Sequence, residues 1–254
     1  MVDRADILRE LGLLPVWRLR VAAQGRSTPL VLHDAAIDPA GPGVAPGGVD
    51  RGARIATLDW SNFAVDVAAC TACGLCRSRR KTVPGVGDPG AEWMFVGEAP
   101  GAEEDARGEP FVGQAGRLLD NMLAALGMKR GSNVYIANVL KCRPPGNRTP
   151  EPGEVDACRP YLDRQIALIR PKLIVALGRS AAATLLAFDA TIASLRGRVH
   201  QYQGVPLIVT YHPAYLLRNL PDKAKAWEDL CLARATLRAL NGADSLQSGL
   251  AAPN

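Results

Sequence analysis

One segment of the chain reads Trp93-Met94-Phe95-Val96-Gly97-Glu98-Ala99-Pro100-Gly101 and continues through a run of acidic residues to Pro110 and Phe111. Four consecutive apolar residues are typical of a strand buried on both faces of a parallel sheet, and the glycine, proline and acidic residues after them cannot extend it. Loops at the carboxyl ends of such strands form the ligand crevice of open α/β sheets. Residues 98–111 are therefore the candidate active-site loop.

Three further apolar runs resemble this strand, and each of the four runs precedes a helical pattern. The predicted strands are residues 93–96, 134–139, 173–177 and 207–210. Strands that alternate with helices predict right-handed βαβ crossovers. We therefore expect a three-layer α/β/α fold around a central four-stranded parallel sheet.

Polar side chains lie just past the four predicted strand ends. They are Glu98 after Gly97, Asn138 with Lys141, Arg179 after Gly178, and His212 after Tyr211. Because parallel strands end at the same edge of a sheet, these groups are expected to converge on one crevice.

The bulk composition sets the broad class of the protein. At 254 residues, with 48% hydrophobic and 22% charged residues, the chain can bury one full core. Its net charge of +5 modestly favours a polyanionic partner. No apolar run is long enough to cross a bilayer and no signal-peptide core is apparent, so we expect a cytoplasmic protein with no membrane contact. Composition further predicts an N-terminal extension with a Pro/Gly-rich linker (1–60), one domain (61–241) and a flexible tail (242–254).

Six cysteines require an explanation other than disulfides in a reducing compartment. Cys70, Cys73 and Cys76 form a C-x2-C-x2-C run, Cys142 and Cys158 lie far downstream, and Cys231 fits plain burial on a helix. The wide second pair and the scarcity of histidine favour an iron-sulfur cluster over structural zinc or unligated thiols. Because these cysteines bracket an α/β body with its own crevice, we expect a structural cluster-binding region.

The body of the chain resembles the family 4 uracil-DNA glycosylases, which are the iron-sulfur members of their superfamily. The resemblance covers about residues 67–240. It is carried by the motifs at 70–73, 97–101, 103–105, 110–116, 138–148, 154–162, 177–178 and 211–218. It implies a monofunctional enzyme that hydrolyses the N-glycosidic bond of deoxyuridine in single- or double-stranded DNA, acts as a monomer and starts base excision repair.

The resemblance also implies that four cysteines hold a [4Fe-4S] cluster. They are Cys70, Cys73, Cys142 and Cys158. Cys76 falls outside the family pattern and could replace Cys73 as a ligand.

A glycosylase must hold a flipped base and stabilise its departure as an anion. Phe111 can stack on the base, Asn138 can donate to O4 and accept from N3–H, and His212 can donate to O2. Core packing, turn capping and loop fixing are the alternative roles, and the resemblance favours substrate contact for all three. Gly97 and Ala99 belong to the same substrate-binding loop.

Activation of water is less well defined, because Ala99 stands where the best-known uracil glycosylases carry an aspartate. The nearby carboxylates Glu98 and Glu104 are the candidates. By resemblance Glu98 positions the uracil, which leaves Glu104 to orient the water. The alternative for Glu104 is an acid that favours the dipole of a helix first turn.

Residues 212–218 combine a proline turn, apolar side chains and a cation, which suits a loop that enters the minor groove. Leu216 or Leu217 is the predicted wedge, and Arg218 is predicted to contact DNA. Further predicted phosphate contacts are Arg77, Arg79, Arg80, Lys81, Lys141, Arg143 and Arg148.

Two other functional classes compete with this interpretation. One is a non-catalytic or electron-transferring iron-sulfur protein that binds DNA. The other is a relative that cross-links to DNA through a histidine loop before the fourth cysteine, but residues 143–157 contain no histidine.

Overall fold

The computed structural model describes the backbone of residues 50–250 and the side chains of residues 50–242. In chain order the elements are α1 (Arg51–Ala56), α2 (Trp60–Ala69), β1 (Val86–Gly87), β2 (Trp93–Gly97), α3 (Ala102–Arg107), α4 (Gln114–Ala125), β3 (Val134–Asn138), α5 (Pro152–Ile169), β4 (Leu173–Leu177), α6 (Arg179–Leu186), α7 (Ile192–Leu195), β5 (Val199–Tyr202), β6 (Val205–Thr210), α8 (Pro213–Leu216) and α9 (Asp222–Leu250). Short 3-10 turns lie at Gly74–Arg77 and Pro145–Asn147.

The strands of the described range form one mixed six-stranded sheet in the order β1-β3-β2-β4-β6-β5. The middle four strands pair in parallel, and they coincide with the four predicted runs. The two edge strands, β1 and β5, pair antiparallel, so the sheet is mixed and has two strands more than the four parallel strands predicted. Neither edge strand could be recognised by an apolar run. β1 has only two residues, and β5 is largely exposed and therefore needs no apolar run.

Helices cover both faces of the sheet, as the alternating residues of β2 illustrate. Met94 and Val96 belong to a core that includes residues of α5 and α6. Trp93 and Phe95 belong to a second core that includes residues of α4 and α9. The domain therefore has three layers, with the sheet in the middle.

The packed body begins earlier and α9 ends later than the sequence predicts. Ile55 of α1 is fully buried in a cluster with Phe63, Val67 and Tyr161, so the body starts at α1 instead of residue 61. At the other end, α9 continues to Leu250 where a flexible tail from 242 is predicted. The remainder of the predicted extension, residues 1–49, lies outside the described residues. None of the helices in the described range is both long and apolar enough to span a bilayer.

Candidate active site

A cleft of about 490 Å³ lies where loops after β2, β3 and β6 meet. Its volume suits a small-molecule fragment such as a base. Most of the predicted site residues line it, namely Glu98, Ala99, Glu104, Phe111, Asn138, His212 and Arg218. The predicted convergence of polar strand ends is therefore confirmed for these loops. Arg179, after β4, lines a neighbouring cavity that shares Glu98 with this cleft.

Asn138 ends β3 and is 2% exposed. Its Oδ1 atom has no hydrogen-bond partner, and it is the one buried side-chain polar atom in this condition among the described residues. A buried acceptor without a donor costs about 1–3 kcal/mol. Asn138 lines the cleft, and a ligand donor that reached this oxygen would remove that cost.

Gly97 gives Asn138 and Phe111 the space that they occupy. A Cβ atom at Gly97 would lie 2.4 Å from Asn138 Oδ1 and 2.5 Å from Phe111 Cζ. Because any side chain here would displace both residues, the glycine serves the shape of the cleft.

Phe111 has a strained backbone, with a φ of 54°, and its ring stacks on the His212 ring at a centroid distance of 5.5 Å. Strain of this kind persists only where the surroundings enforce it. Gly116 makes room for it, since a Cβ there would lie 1.7 Å from the Phe111 carbonyl oxygen.

Arg130, which is not among the predicted site residues, holds the Phe111 loop in place. Its guanidinium donates to the carbonyls of Pro110 (2.8 Å) and Phe111 (2.7 Å) and to Asp120 Oδ1 (2.9 Å). An arginine beside Lys129 and Gly131 resembles a solvated turn, so no local signal identifies this role.

Glu104 braces the same loop from the other side. Its Oε1 accepts from the backbone N–H groups of Val112 (2.9 Å) and Gly113 (3.2 Å), and its Oε2 accepts from Gly101 (3.1 Å). Both oxygens are thus engaged by backbone amides, which favours a positioning role over the predicted orientation of water.

Glu98 is half-buried at the end of β2. Burial raises the pKa of Glu98, and a hydrogen bond with Ser180 partly opposes that rise. Among the described residues, no backbone N–H donates to the Glu98 carboxylate, in contrast to Glu104. A carboxyl group with a raised pKa in a cleft is a candidate for proton chemistry.

His212 lies between β6 and α8 with its Nδ1 accepting from the backbone N–H of Ala214 (3.1 Å). Burial, and secondly the charge of Arg218, lower the pKa of His212 to about 4, while Glu104 acts in the opposite direction. The imidazole is therefore neutral at pH 7, and the bond to Nδ1 assigns its proton to Nε2. The ring is set up as a donor through Nε2.

The two candidates for the DNA wedge differ in burial. Leu216 is 1% exposed and packs in the interior, so it cannot enter DNA as the sequence analysis allows. Leu217 is 38% exposed and is followed by the exposed Arg218. Of the two candidates, only Leu217 is accessible to DNA.

Several predicted phosphate contacts are otherwise engaged. Lys141 is 1% exposed, which removes it from any DNA surface. Arg148 pairs with Glu154 (2.6 Å), and Arg79 donates to Cys142 Sγ (3.1 Å) and to a backbone carbonyl. The exposed members of the set are Arg77, Arg80, Lys81 and the ion-paired Arg148, while Arg143 is half-buried.

Five cysteines line a third, small pocket between α2, the segment after β3, and α5. They are Cys70, Cys73, Cys76, Cys142 and Cys158. Cys231 does not line it, in agreement with plain packing on α9. The structure therefore brings the predicted ligands together and includes Cys76 as a fifth neighbour.

Three of these sulfurs each accept a hydrogen bond. Arg79 donates to Cys142 (3.1 Å), Arg51 to Cys70 (3.4 Å) and the Lys141 backbone N–H to Cys158 (3.3 Å). Hydrogen bonds of this type support thiolate ligands of metal centres. No three His, Cys, Asp or Glu side chains in residues 50–242 are spaced for a single metal ion.

Comparison with known proteins agrees with this geometry. A model of the "Uracil DNA glycosylase superfamily" matches residues 84–231, which include the whole cleft together with Cys142 and Cys158. A type-4 uracil-DNA glycosylase of Archaeoglobus fulgidus is 49% identical over 160 residues, covering 60% of this chain and 80% of that protein. The type-4 enzyme of Thermotoga maritima is 46% identical over 165 residues, covering 63% and 83%.

A more distant relative is a type-5 uracil-DNA glycosylase of Pyrobaculum aerophilum, which is 36% identical over 157 residues and covers 55% of this chain and 68% of that protein. The type-4 relatives are more similar and match over a larger share of their length. The chain belongs to the uracil-DNA glycosylase superfamily and, within it, to the type-4 group.

Proposed function

We propose that the protein is a monofunctional uracil-DNA glycosylase, which hydrolyses the N-glycosidic bond of deoxyuridine in DNA and leaves an abasic site for base excision repair. The observation that carries this proposal is the unpartnered Oδ1 of Asn138 in the cleft. Uracil presents a donor at N3, whereas cytosine presents an acceptor there. An amide whose oxygen faces N3 and whose NH2 faces O4 therefore selects uracil.

The remaining groups supply stacking and stabilisation of the leaving group. Phe111, held by Arg130 and Glu104, offers an aromatic face for the flipped base. The Nε2–H of His212 donates to O2, where negative charge develops as the bond to C1′ breaks. The bond electrons leave with the uracil, and a water molecule adds to C1′ and gives up a proton.

We assign the orientation of that water to Glu98 in preference to Glu104. The carboxylate of Glu104 is occupied by three backbone amides, whereas burial raises the pKa of Glu98 toward the range useful for a general base. Glu104 then acts by holding the loop that carries Phe111.

Substitution by glutamine separates these two roles. Glu98→Gln is expected to slow single-turnover excision by roughly 10²-fold or more. Wild-type excision should slow as pH falls through the raised pKa of Glu98, and Glu98→Gln should not show this acidic limb of the pH–rate profile. Glu104→Gln is expected to cost less, to leave that limb in place and to weaken inhibition by free uracil. If Glu98→Gln is as fast as wild type and Glu104→Gln is inactive, orientation of the water must be assigned to Glu104 instead.

We further propose that Cys70, Cys73, Cys142 and Cys158 hold a [4Fe-4S] cluster. The cluster supplies a structural cross-link between α2, the segment after β3, and α5 when it is bound. The chain's own residues carry out the excision, so no step of the reaction passes through the metal.

The cluster proposal predicts unequal effects of cysteine replacement. Cys142→Ala is expected to lose iron and the brown colour and to lower Tm by at least about 5 °C, because ligand binding contributes to folding. Cys231→Ala is the matched control and keeps both properties. Iron content and thermal unfolding provide the measurement, and Cys76→Ala tests the fifth cysteine in the same way. Colourless wild-type protein with stoichiometric zinc and full activity would exclude an iron-sulfur cluster.

The proposed partner is uracil-containing DNA, single- or double-stranded, bound across the cleft by a monomer. Arg218 at the cleft and the exposed Arg77, Arg80 and Lys81 supply positive charge. The cytoplasmic location remains a prediction from the sequence.

If Arg218 contacts the DNA backbone, its removal should change the salt dependence of DNA affinity. On duplex DNA each neutralised phosphate adds about −0.9 to the slope of log affinity against log salt. Arg218→Ala should make the slope shallower by about one such contact, while Arg234→Ala on α9 should leave it unchanged. Fluorescence anisotropy over a salt series measures both, and an unchanged slope for Arg218→Ala would place this residue away from phosphate.

Incubation with a single-uracil oligonucleotide tests the function itself. Purified protein should create alkali-labile abasic sites and release free uracil without cutting the strand by itself. Binding without release would favour the competing class of non-catalytic or electron-transferring iron-sulfur proteins.

A further inference from the structure

A buried lysine lies directly behind the residue proposed to recognise uracil. Lys141 follows Asn138 by three positions and is 1% exposed. Its ammonium donates to the backbone carbonyl of Asn138 (2.6 Å) and to the side-chain oxygen of Gln165. Taking an ammonium out of water costs several kcal/mol unless its surroundings compensate. A lysine at this position therefore has a specific structural task.

The second acceptor of Lys141 is itself fixed. Gln165 of α5 is fully buried, and its Nε2 donates to the carbonyl of Pro84 (2.7 Å) and to the hydroxyl of Tyr135 (3.1 Å). The ammonium thus links the end of β3 to α5, and the Gln165 side chain that accepts from it is fixed by its own two hydrogen bonds.

The backbone of Lys141 is anchored on two sides as well. Its N–H donates to Cys158 Sγ (3.3 Å), and its carbonyl accepts from the N–H of Val83 (2.8 Å). Burial lowers the pKa of Lys141 to about 8, and the charges of Cys158 and Cys142 act in the opposite direction. One residue therefore contacts both the recognition strand and the cysteine pocket.

We propose that Lys141 is a positioning residue that fixes the end of β3, and with it the amide of Asn138, for uracil. The proposal rests on the function assigned to Asn138 above. The tolerance at this point is small, because Asn138 Oδ1 lies against Gly97 with no room for a methyl group. A shift of the strand end would misdirect the acceptor even though Lys141 never touches the base.

A double-mutant cycle tests this indirect action. Lys141→Met keeps an unbranched side chain without the ammonium, and it should slow single-turnover excision and weaken inhibition by free uracil by about 10- to 100-fold each. Affinity for DNA that carries a stable abasic-site analogue should not change, because no base is read. In the Asn138→Ala background, Lys141→Met should have no further effect on either quantity.

Leu237→Ala controls for lost stability, since Leu237 of α9 is buried in the core and does not line the cleft. It should lower Tm and leave uracil inhibition unchanged. If Lys141→Met does not fold, Gln165→Met removes the second acceptor and should give a weaker loss that is likewise absent in the Asn138→Ala background.

The possible failures are distinguishable. If Asn138→Ala is slow but Lys141→Met is as fast as wild type, the role of Lys141 alone is overturned. The same holds if the rate losses of the two single variants multiply in the double variant. An Asn138→Ala enzyme as fast as wild type overturns the recognition role of Asn138 and the positioning role together.

Discussion

Asn138→Ala is expected to lose roughly 1–4 kcal/mol of transition-state stabilisation without a matching loss of folding stability. In the free protein the Asn138 oxygen is buried and unpartnered, so its removal relieves a polar desolvation cost. Substrate binding gives that oxygen its donor, and the substitution removes this interaction. A variant that is slow but as stable as wild type distinguishes a recognition residue from a core residue.

Single-turnover kinetics and denaturant unfolding on the same preparations measure the two quantities. Asn62→Ala, at an exposed asparagine in α2, is the matched control and should change neither rate nor cleft binding. An Asn138→Ala enzyme that excises uracil at the wild-type rate would remove Asn138 from the site.

His212→Ala is expected to slow excision by about 10²- to 10³-fold, the range typical of a lost oxyanion donor. The Nε2–H of the neutral ring is the group that opposes the charge on O2 of the departing uracil. The substitution also removes the ring against which Phe111 stacks at 5.5 Å. His212→Gln keeps a donor of similar reach and should retain part of the rate.

The pH dependence gives an independent check on the state of this ring. Because the pKa of His212 is lowered to about 4 from its ordinary 6.5, wild-type excision should show no His212 inflection near pH 6.5. Between pH 6.5 and pH 4 the unfolded chain binds a proton that the native ring excludes. The free energy of unfolding should therefore fall as pH falls through this window, and His212→Gln should reduce that fall. An inflection near pH 6.5 that disappears in His212→Gln would show that the ring titrates normally.

The strand ends are the part of the site that could be predicted from sequence. Glu98, Asn138 and His212 follow buried apolar runs, and parallel pairing of those runs fixes their convergence. The edge strands could not be predicted in the same way, because exposed or two-residue strands carry no apolar periodicity.

The supporting residues could not be predicted, because their roles depend on contacts between distant segments. Lys141 has a residue type typical of the surface, yet the Asn138 carbonyl and Gln165 compensate its burial. Glu104 has the sequence context of a helix-capping acid, and only the folded loop brings Val112 and Gly113 to it. Arg130 lies 19 residues from the carbonyl of Phe111 that it binds. Leu216 and Leu217 are equivalent by residue type and differ only in burial.

Excision from oligonucleotides that carry either deoxyuridine or N3-methyldeoxyuridine at one position tests the central claim most directly. The methyl group removes the N3–H donor and leaves the glycosidic bond, O2 and O4 in place. Wild-type protein should release uracil rapidly and the methylated base at least about 100-fold more slowly, because the oxygen of Asn138 then stays unpaired. Asn138→Ala should lose most of this preference. Equal rates on the two bases, or no base released from either oligonucleotide, would contradict a uracil glycosylase that reads its substrate through Asn138.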